Sequence, residues 1–296
     1  MTSEVAVMNR LAIALAADSA VTTAQKKVFN SANKLFMLSD TVGIMVYNNA
    51  SLMDVPWETL IKDFRQKLGT TKYRTLEGYG DAFFGYLTTM LHLFERETQK
   101  LFFVDLVDAY YTKIAHAIRR ELEKSESGFA STAVDADVKR REVYKMIIER
   151  ETAEWSAAPR SSSLSENAGR DIAGECSIEI NKLTTQRFKV PHPRLEAPEV
   201  DALRQFAINL VEAKTIAPPS LSGVVVAGFG EDDFFPVLQA FEVGDVYGDK
   251  VKLVRKPVVK IGPGNDTHIE TFADSDTADA FLHGLPAEFE QHIMLW

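Results

Sequence analysis

Short apolar runs broken by polar turn residues fill the first fifty positions of the chain. Ser3 to Met8 and Leu11 to Ala17 are two runs of strand length, and Asn9-Arg10 between them suits a tight hairpin. Alanine in the second run favours helix by itself, but the short length and the turn signal decide for strand. Lys34 to Leu38 and Val42 to Tyr47 repeat the arrangement around Ser39-Asp40-Thr41. Four short strands so close together predict an antiparallel sheet. From about Val55 to Ala158 the period changes to that of helices. Trp57, Leu60, Ile61, Phe64 and Leu68 recur at three- and four-residue spacing behind Pro56, a residue tolerated in a first helical turn. Gly80 to Lys124 reads as one long helical stretch and Asp135 to Trp155 as another, their aromatic stripes packing as core or subunit interface. Ser156 to Pro198, with its serine, proline and charge clusters, reads as an irregular connection with a strand at Cys176 to Lys182. Glu199 to Ala213 is a further amphipathic helix. Strands return at Ser222 to Ala227, Val237 to Val243 and Val251 to Ile261, and Asp274 to Leu282 closes as a helix. Strands, a large helical block, then strands again predict an α+β fold in which both strand sets share one core.

Composition narrows the function classes. The chain has 296 residues, of which 46% are hydrophobic and 25% charged, as in an ordinary folded domain. Acidic residues outnumber basic ones 42 to 33, for a formal charge of −9. That balance argues against nucleic acid as a partner. Lys139-Arg140-Arg141 is the nearest approach to a basic run, and it reads as a solvated helix face. Cys176 is alone, so no intramolecular disulfide forms. With no signal core and no window near the ~18 apolar residues of a membrane span, the expected location is cytoplasmic and no membrane partner is expected.

Motifs for phosphate, dinucleotide and zinc are missing: there is no GxxxxGK[ST], GxGxxG or HExxH, and no cysteine pair. No cofactor and no metal are therefore expected. The six histidines (His92, His116, His192, His268, His283 and His292) form no ligand pair at helical spacing, and Glu231-Asp232-Asp233 reads as solvated loop.

One constellation stands out. Thr2 follows the initiator methionine, Asp18 ends the second strand and Lys34 opens the third, at intervals of sixteen and sixteen. A threonine hydroxyl needs a base to become a nucleophile, and the α-amine of an N-terminal threonine, with an ordinary pKa of ~8, is such a base. A lysine ammonium nearby favours the deprotonated amine and stabilises negative charge on oxygen, and a carboxylate beside the lysine keeps it charged and fixed. Removal of Met1 would free that amine.

The text Thr2-Ser3-Glu4-Val5-Ala6-Val7, then Leu15-Ala16-Ala17-Asp18, then Asn30-Ser31-Ala32-Asn33-Lys34-Leu35 resembles the proteasome β-subunits and related bacterial peptidase ring subunits, members of the N-terminal nucleophile (Ntn) hydrolase superfamily. Ser222 to Phe229 with Phe235 to Leu238, and Ile261-Gly262-Pro263-Gly264-Asn265, are similar to its mid-chain strand pair and its glycine-serine turn beside the nucleophile. The resemblance covers about residues 1 to 68 and 221 to 285. It implies an αββα sandwich of antiparallel sheets carrying a large helical insertion. One domain would be built from 1–79, 80–220 (the insertion) and 221–296, truncated at the C-terminus, since thirty-one residues follow Asn265. It implies a threonine-type amidohydrolase, a peptidase acting on peptide or amide substrates. Thr2 would be nucleophile and base, Lys34 its electrostatic partner, Asp18 the anchor of Lys34 and Asn48 an oxyanion donor. Thr22 falls at the family's substrate-pairing position. Val21, Ala32, Phe36, Val46, Ala50 and Asp54 fall at its specificity pocket, which would be apolar. A homo-oligomer, a ring in that family, and an ATPase or other protein partner are implied as well. The chain departs from the family at Asn48, where the family has glycine, and at Pro263, where it has serine. The alternative is a catalytically inactive proteasome-like structural or partner-binding protein, with the helical block as its working surface.

Overall fold

The computed structural model describes residues 3–18, 21–22, 28–29, 33–126, 133–188 and 195–273. The fold is mixed α+β, with antiparallel sheets and seven α-helices among the described residues. In chain order the strands are β1 (Ser3–Asn9), β2 (Ile13–Ala17), β3 (Val21–Thr22), β4 (Val28–Phe29), β5 (Leu35–Met37), β6 (Val42–Asn48), β7 (Ser51–Leu52), β8 (Val55–Pro56), β9 (Ser222–Gly228), β10 (Val237–Tyr247), β11 (Lys250–Arg255), β12 (Val259–Lys260) and β13 (Thr267–Ala273). The helices are α1 (Trp57–Leu68), α2 (Leu76–Thr89), α3 (Arg96–Glu126), α4 (Ala133–Ala157), α5 (Ala168–Glu175), α6 (Ser177–Arg187) and α7 (Ala197–Glu212). They form two compact units, one of residues 1–90, 221–244 and 255–296 and the other of 91–220 and 245–254.

The first unit is built on two facing sheets. The smaller has the order β13-β1-β2, and the larger runs β10-β9-β6-β5 with β12 pairing β10. Alanine-rich β2 is a strand because the Asn9 side chain closes the hairpin, accepting from the Leu11 and Ala12 amides at 2.8 and 3.0 Å. Ala6 and Met8 from β1 meet Met45, Tyr47, Val225, Ala227, Leu238, Ala240 and Phe272 between the sheets. The other face of the larger sheet lies under α2, where the Phe84 ring packs tilted against Phe241 at 4.4 Å between centroids. Gly80 permits that approach, since a Cβ there would meet the Phe241 ring at 2.9 Å. Helix α1 buries Trp57, Leu60, Ile61, Phe64 and Leu68, the stripe its spacing predicts.

The second unit packs five helices about one core. Tyr110 lies edge-on to Trp155 and Phe206, and the Tyr111 hydroxyl donates to the Leu203 carbonyl at 2.9 Å. Tyr247, from the hairpin segment 245–254, joins this core. Gln99 holds the hairpin's turn from both sides, donating to the Gly248 carbonyl and accepting from its amide. Lys252 donates to the carbonyls of Leu210 and Thr215, and Asp245 accepts from Ser220 at 2.5 Å.

Burial acts on both charges of that hairpin, pushing Asp245 up to about 6 and Lys252 down to about 7. A raised carboxylate contributes stability that is lost as pH climbs from its ordinary value to about 6. A depressed lysine contributes stability that returns as pH climbs from about 7 toward its ordinary value. The pair therefore predicts a trough of stability between pH 6 and 7. Urea denaturation across pH should show this trough in the wild type and a flatter profile in Asp245→Asn/Lys252→Met.

Several sequence expectations change. The strand expected at Cys176 to Lys182 is helix: Cys176, Ile180, Thr184 and Phe188 are all buried at intervals of four, and that period belongs to α6. The irregular connection from Ser156 to Pro198 accordingly holds α5 and α6. The stretch from Gly80 to Lys124 breaks between α2 and α3 at a tight turn, Leu91–Leu93, which buries Phe94. Val251 to Ile261 divides into β11 and β12 at Lys256-Pro257-Val258, where proline lacks the donor a ladder needs. Strand β13 takes the place on β1 that the sequence left unassigned. The helix expected at Asp274 to Leu282 lies outside the described residues. No helix among the described residues is long and apolar enough to cross a membrane.

Candidate active site

Strand β1 turns alternate residues toward the sheet interface, and Glu4, Ala6 and Met8 are all buried. Glu4 is a charge in a row of apolar residues. Its partner is Lys34, whose Nζ lies 2.7 Å from Glu4 Oε1. Both side chains are removed from water, with exposures of 5% for Lys34 and 0% for Glu4. The lysine is fixed at its own backbone too, because its carbonyl accepts the Val46 amide at 2.8 Å. Residues thirty apart in sequence are thereby brought to the beginning of β1, two positions from Thr2.

Asp18 follows β2 directly and is exposed, and its neighbour Ala17 pairs with Glu4 across the hairpin. Val21 and Thr22 form β3 and pair with Phe29 and Val28 of β4. Val46 is buried in β6, Phe36 is half-buried in β5, and Ala50 accepts the Trp57 amide at 3.0 Å with its carbonyl. Thr2 and Ala32 lie outside the described residues. Pro263 sits in a turn closed by reciprocal bonds between the backbones of Gly262 and Asn265, both 3.0 Å.

Asn48 ends β6 with φ of 61°, in the left-handed region that glycine enters freely and asparagine tolerates better than most residues. It lines a cleft of about 710 Å³ at the edge of the sandwich, together with Tyr47, Glu242, Lys256, His268 and Glu270. Ala273, at the end of β13, lines the same cleft and also has φ of 61°. Two non-glycine residues held in this conformation at one cleft mark stored backbone strain.

Two polar pairs line the cleft: Lys256 meets Glu242 at 2.6 Å, and the His268 ring nitrogen Nε2 lies 3.2 Å from Glu270 Oε2. Burial, and after it the carboxylates of Glu242, Glu270 and Glu4, push the Tyr47 hydroxyl well above its ordinary value, so it stays protonated. The Tyr47 ring fills the space above Gly223, where a Cβ would fall about 2 Å from its carbons. Among the described residues no group of three or more His, Cys, Asp or Glu side chains could hold a metal ion.

The sequence reading singled out Lys34 and Asn48; it did not single out Glu4, Tyr47, Glu242, His268 or Glu270, which the structure places beside them. The signal for Glu4 was present: it shares the strand parity of Ala6 and Met8, so it had to point inward. Nothing comparable marked His268 and Glu270, because β13 itself was not foreseen.

No protein-family model matches the chain, and no solved structure matches it significantly.

Proposed function

We propose that the chain is an amidohydrolase of the N-terminal threonine type, a proteasome-like Ntn peptidase acting through Thr2 after loss of Met1. The observation that carries the reading is the buried Lys34–Glu4 pair at the start of β1. A lysine held inside a protein by a carboxylate has its ammonium fixed at one point, and an ammonium so placed favours a neutral amine and a developing oxyanion beside it. In this mechanism the Thr2 α-amine takes the hydroxyl proton and the oxygen attacks the amide carbon. The amine then returns the proton to the leaving nitrogen, and water releases the acyl group. The Asn48 backbone N–H would donate to the oxyanion, a role its left-handed conformation suits. The specificity positions Phe36, Val46 and Ala50 favour an apolar substrate side chain.

The competing reading, a proteasome-like structural or partner-binding protein without turnover, draws on the same pair, because Glu4 neutralises Lys34. Intact mass of protein purified from its native host, before and after exposure to a threonine-directed electrophile, separates the two. The enzyme reading expects loss of Met1 and one covalent adduct on Thr2. Complete retention of Met1 would remove the mechanism, since no free amine could then adjoin the hydroxyl.

A further inference from the structure

We propose that the outer edge of β5, which no strand among the described residues pairs, is a docking site for an extended peptide, which adds to the larger sheet as an antiparallel strand and places alternate apolar side chains between the two sheets. The inference stands apart from the catalytic reading and does not use Thr2.

The hydrogen-bond parity of β5 carries it. The Val46 amide donates to the Lys34 carbonyl and the Leu38 amide to the Val42 carbonyl, both at 2.8 Å, with Phe36 opposite Ile44 between them. In an antiparallel ladder such bonded pairs alternate, so Lys34, Phe36 and Leu38 turn their backbone groups toward β6. Leu35 and Met37 turn theirs the other way, to an edge with no further strand among the described residues. Four backbone donors and acceptors, repeating every two residues, therefore face outward.

The side chains of the same two residues lie on the sandwich side, since their cross-strand partners are Met45 and Gly43. They remain 39% and 49% exposed. Opposite them run Ile13 and Leu15 of β2, the last strand of its sheet among the described residues, and Leu11 before it is 88% exposed. Between the two edges lies a cavity of about 450 Å³, floored by Gly43 and Ala227. An apolar cavity alone would take any apolar body. Next to it, a row of outward backbone groups selects another backbone, the chemistry of strand addition.

A second copy of this chain fits poorly, because two three-residue edges paired together bury far less than the ~1,200 Å² of a stable interface. The rim carries the Asp40 carboxylate, and the whole chain is at −9, so a peptide with a basic flank is favoured.

The test uses the full chain and a dansylated peptide amide of sequence Lys-Val-Thr-Val-Thr-Val, followed by fluorescence anisotropy. The valines would occupy the cavity and also bond to Leu35 and Met37. N-methylation of the valines should therefore weaken binding by about tenfold or more, while N-methylation of the threonines should leave it nearly unchanged. Met37→Pro removes an outward donor without touching the ladder to β6, so it should weaken binding similarly at an unchanged circular dichroism spectrum. If that variant does not fold, the two methylated peptides on the wild type still decide. Equal binding of both methylated peptides, or no binding at millimolar peptide, overturns the proposal. Self-association of the wild type that Met37→Pro abolishes would also overturn it, by giving the edge to a second copy.

Discussion

Lys34→Met is expected to destabilise the protein by about 3–5 kcal/mol, the usual cost of removing one partner from a buried ion pair. Glu4 would be left with its charge inside the sandwich and without the ammonium 2.7 Å away. Keeping a buried carboxylate away from water without that ammonium costs more than any packing that methionine restores. The double variant Glu4→Gln/Lys34→Met should recover most of the loss, since neutral groups of similar shape carry no such penalty. A double-mutant cycle on urea midpoints measures this directly, and a Lys34→Met cost below about 1 kcal/mol would mean that the pair is solvated. The cycle also governs how activity data are read. A loss of turnover in Lys34→Met alone mixes unfolding with chemistry. Loss in the folded double variant, set against Glu4→Gln alone, reports on the ammonium as a catalytic group.

Amphipathic helices were the most legible part of the chain. In α1 and α7 the apolar stripe is strong and the termini are marked, so periodicity alone located them within two or three residues. Helix α6 was hidden because its buried row includes Cys176 and Thr184, which do not read as a hydrophobic stripe among Glu179, Asn181 and Lys182. Strand β13 was hidden because of what its inner face carries. Its inward positions before Phe272 are His268 and Glu270, which face a cleft rather than packed side chains, so the strand has no apolar alternation to detect. The candidate site divides in the same way. Residue spacing pointed to Lys34, and strand parity with Ala6 and Met8 marks Glu4 as inward. That the two meet depends on the packing of β1 against the sheet that follows Lys34, which no local pattern carries.

Thr2→Ala should abolish covalent labelling and reduce turnover of an apolar peptide amide by on the order of 10⁴-fold or more, if the proposed function holds. The substitution removes the nucleophilic oxygen but leaves the α-amine, the strand and the Lys34–Glu4 pair in place. Stability should therefore change little, and urea midpoints of variant and wild type should agree. Thr2→Ser keeps both hydroxyl and amine and should keep labelling, with turnover well above that of the alanine variant. Together the two substitutions separate chemistry from a merely structural role at the strand's beginning. Combining Thr2→Ala with Asn48→Gly should produce no further loss, because an oxyanion donor has nothing to stabilise once attack has stopped. Wild-type turnover in Thr2→Ala would end the N-terminal nucleophile reading. It would move attention to the cleft beside Tyr47, where His268 and Glu270 lie 3.2 Å apart.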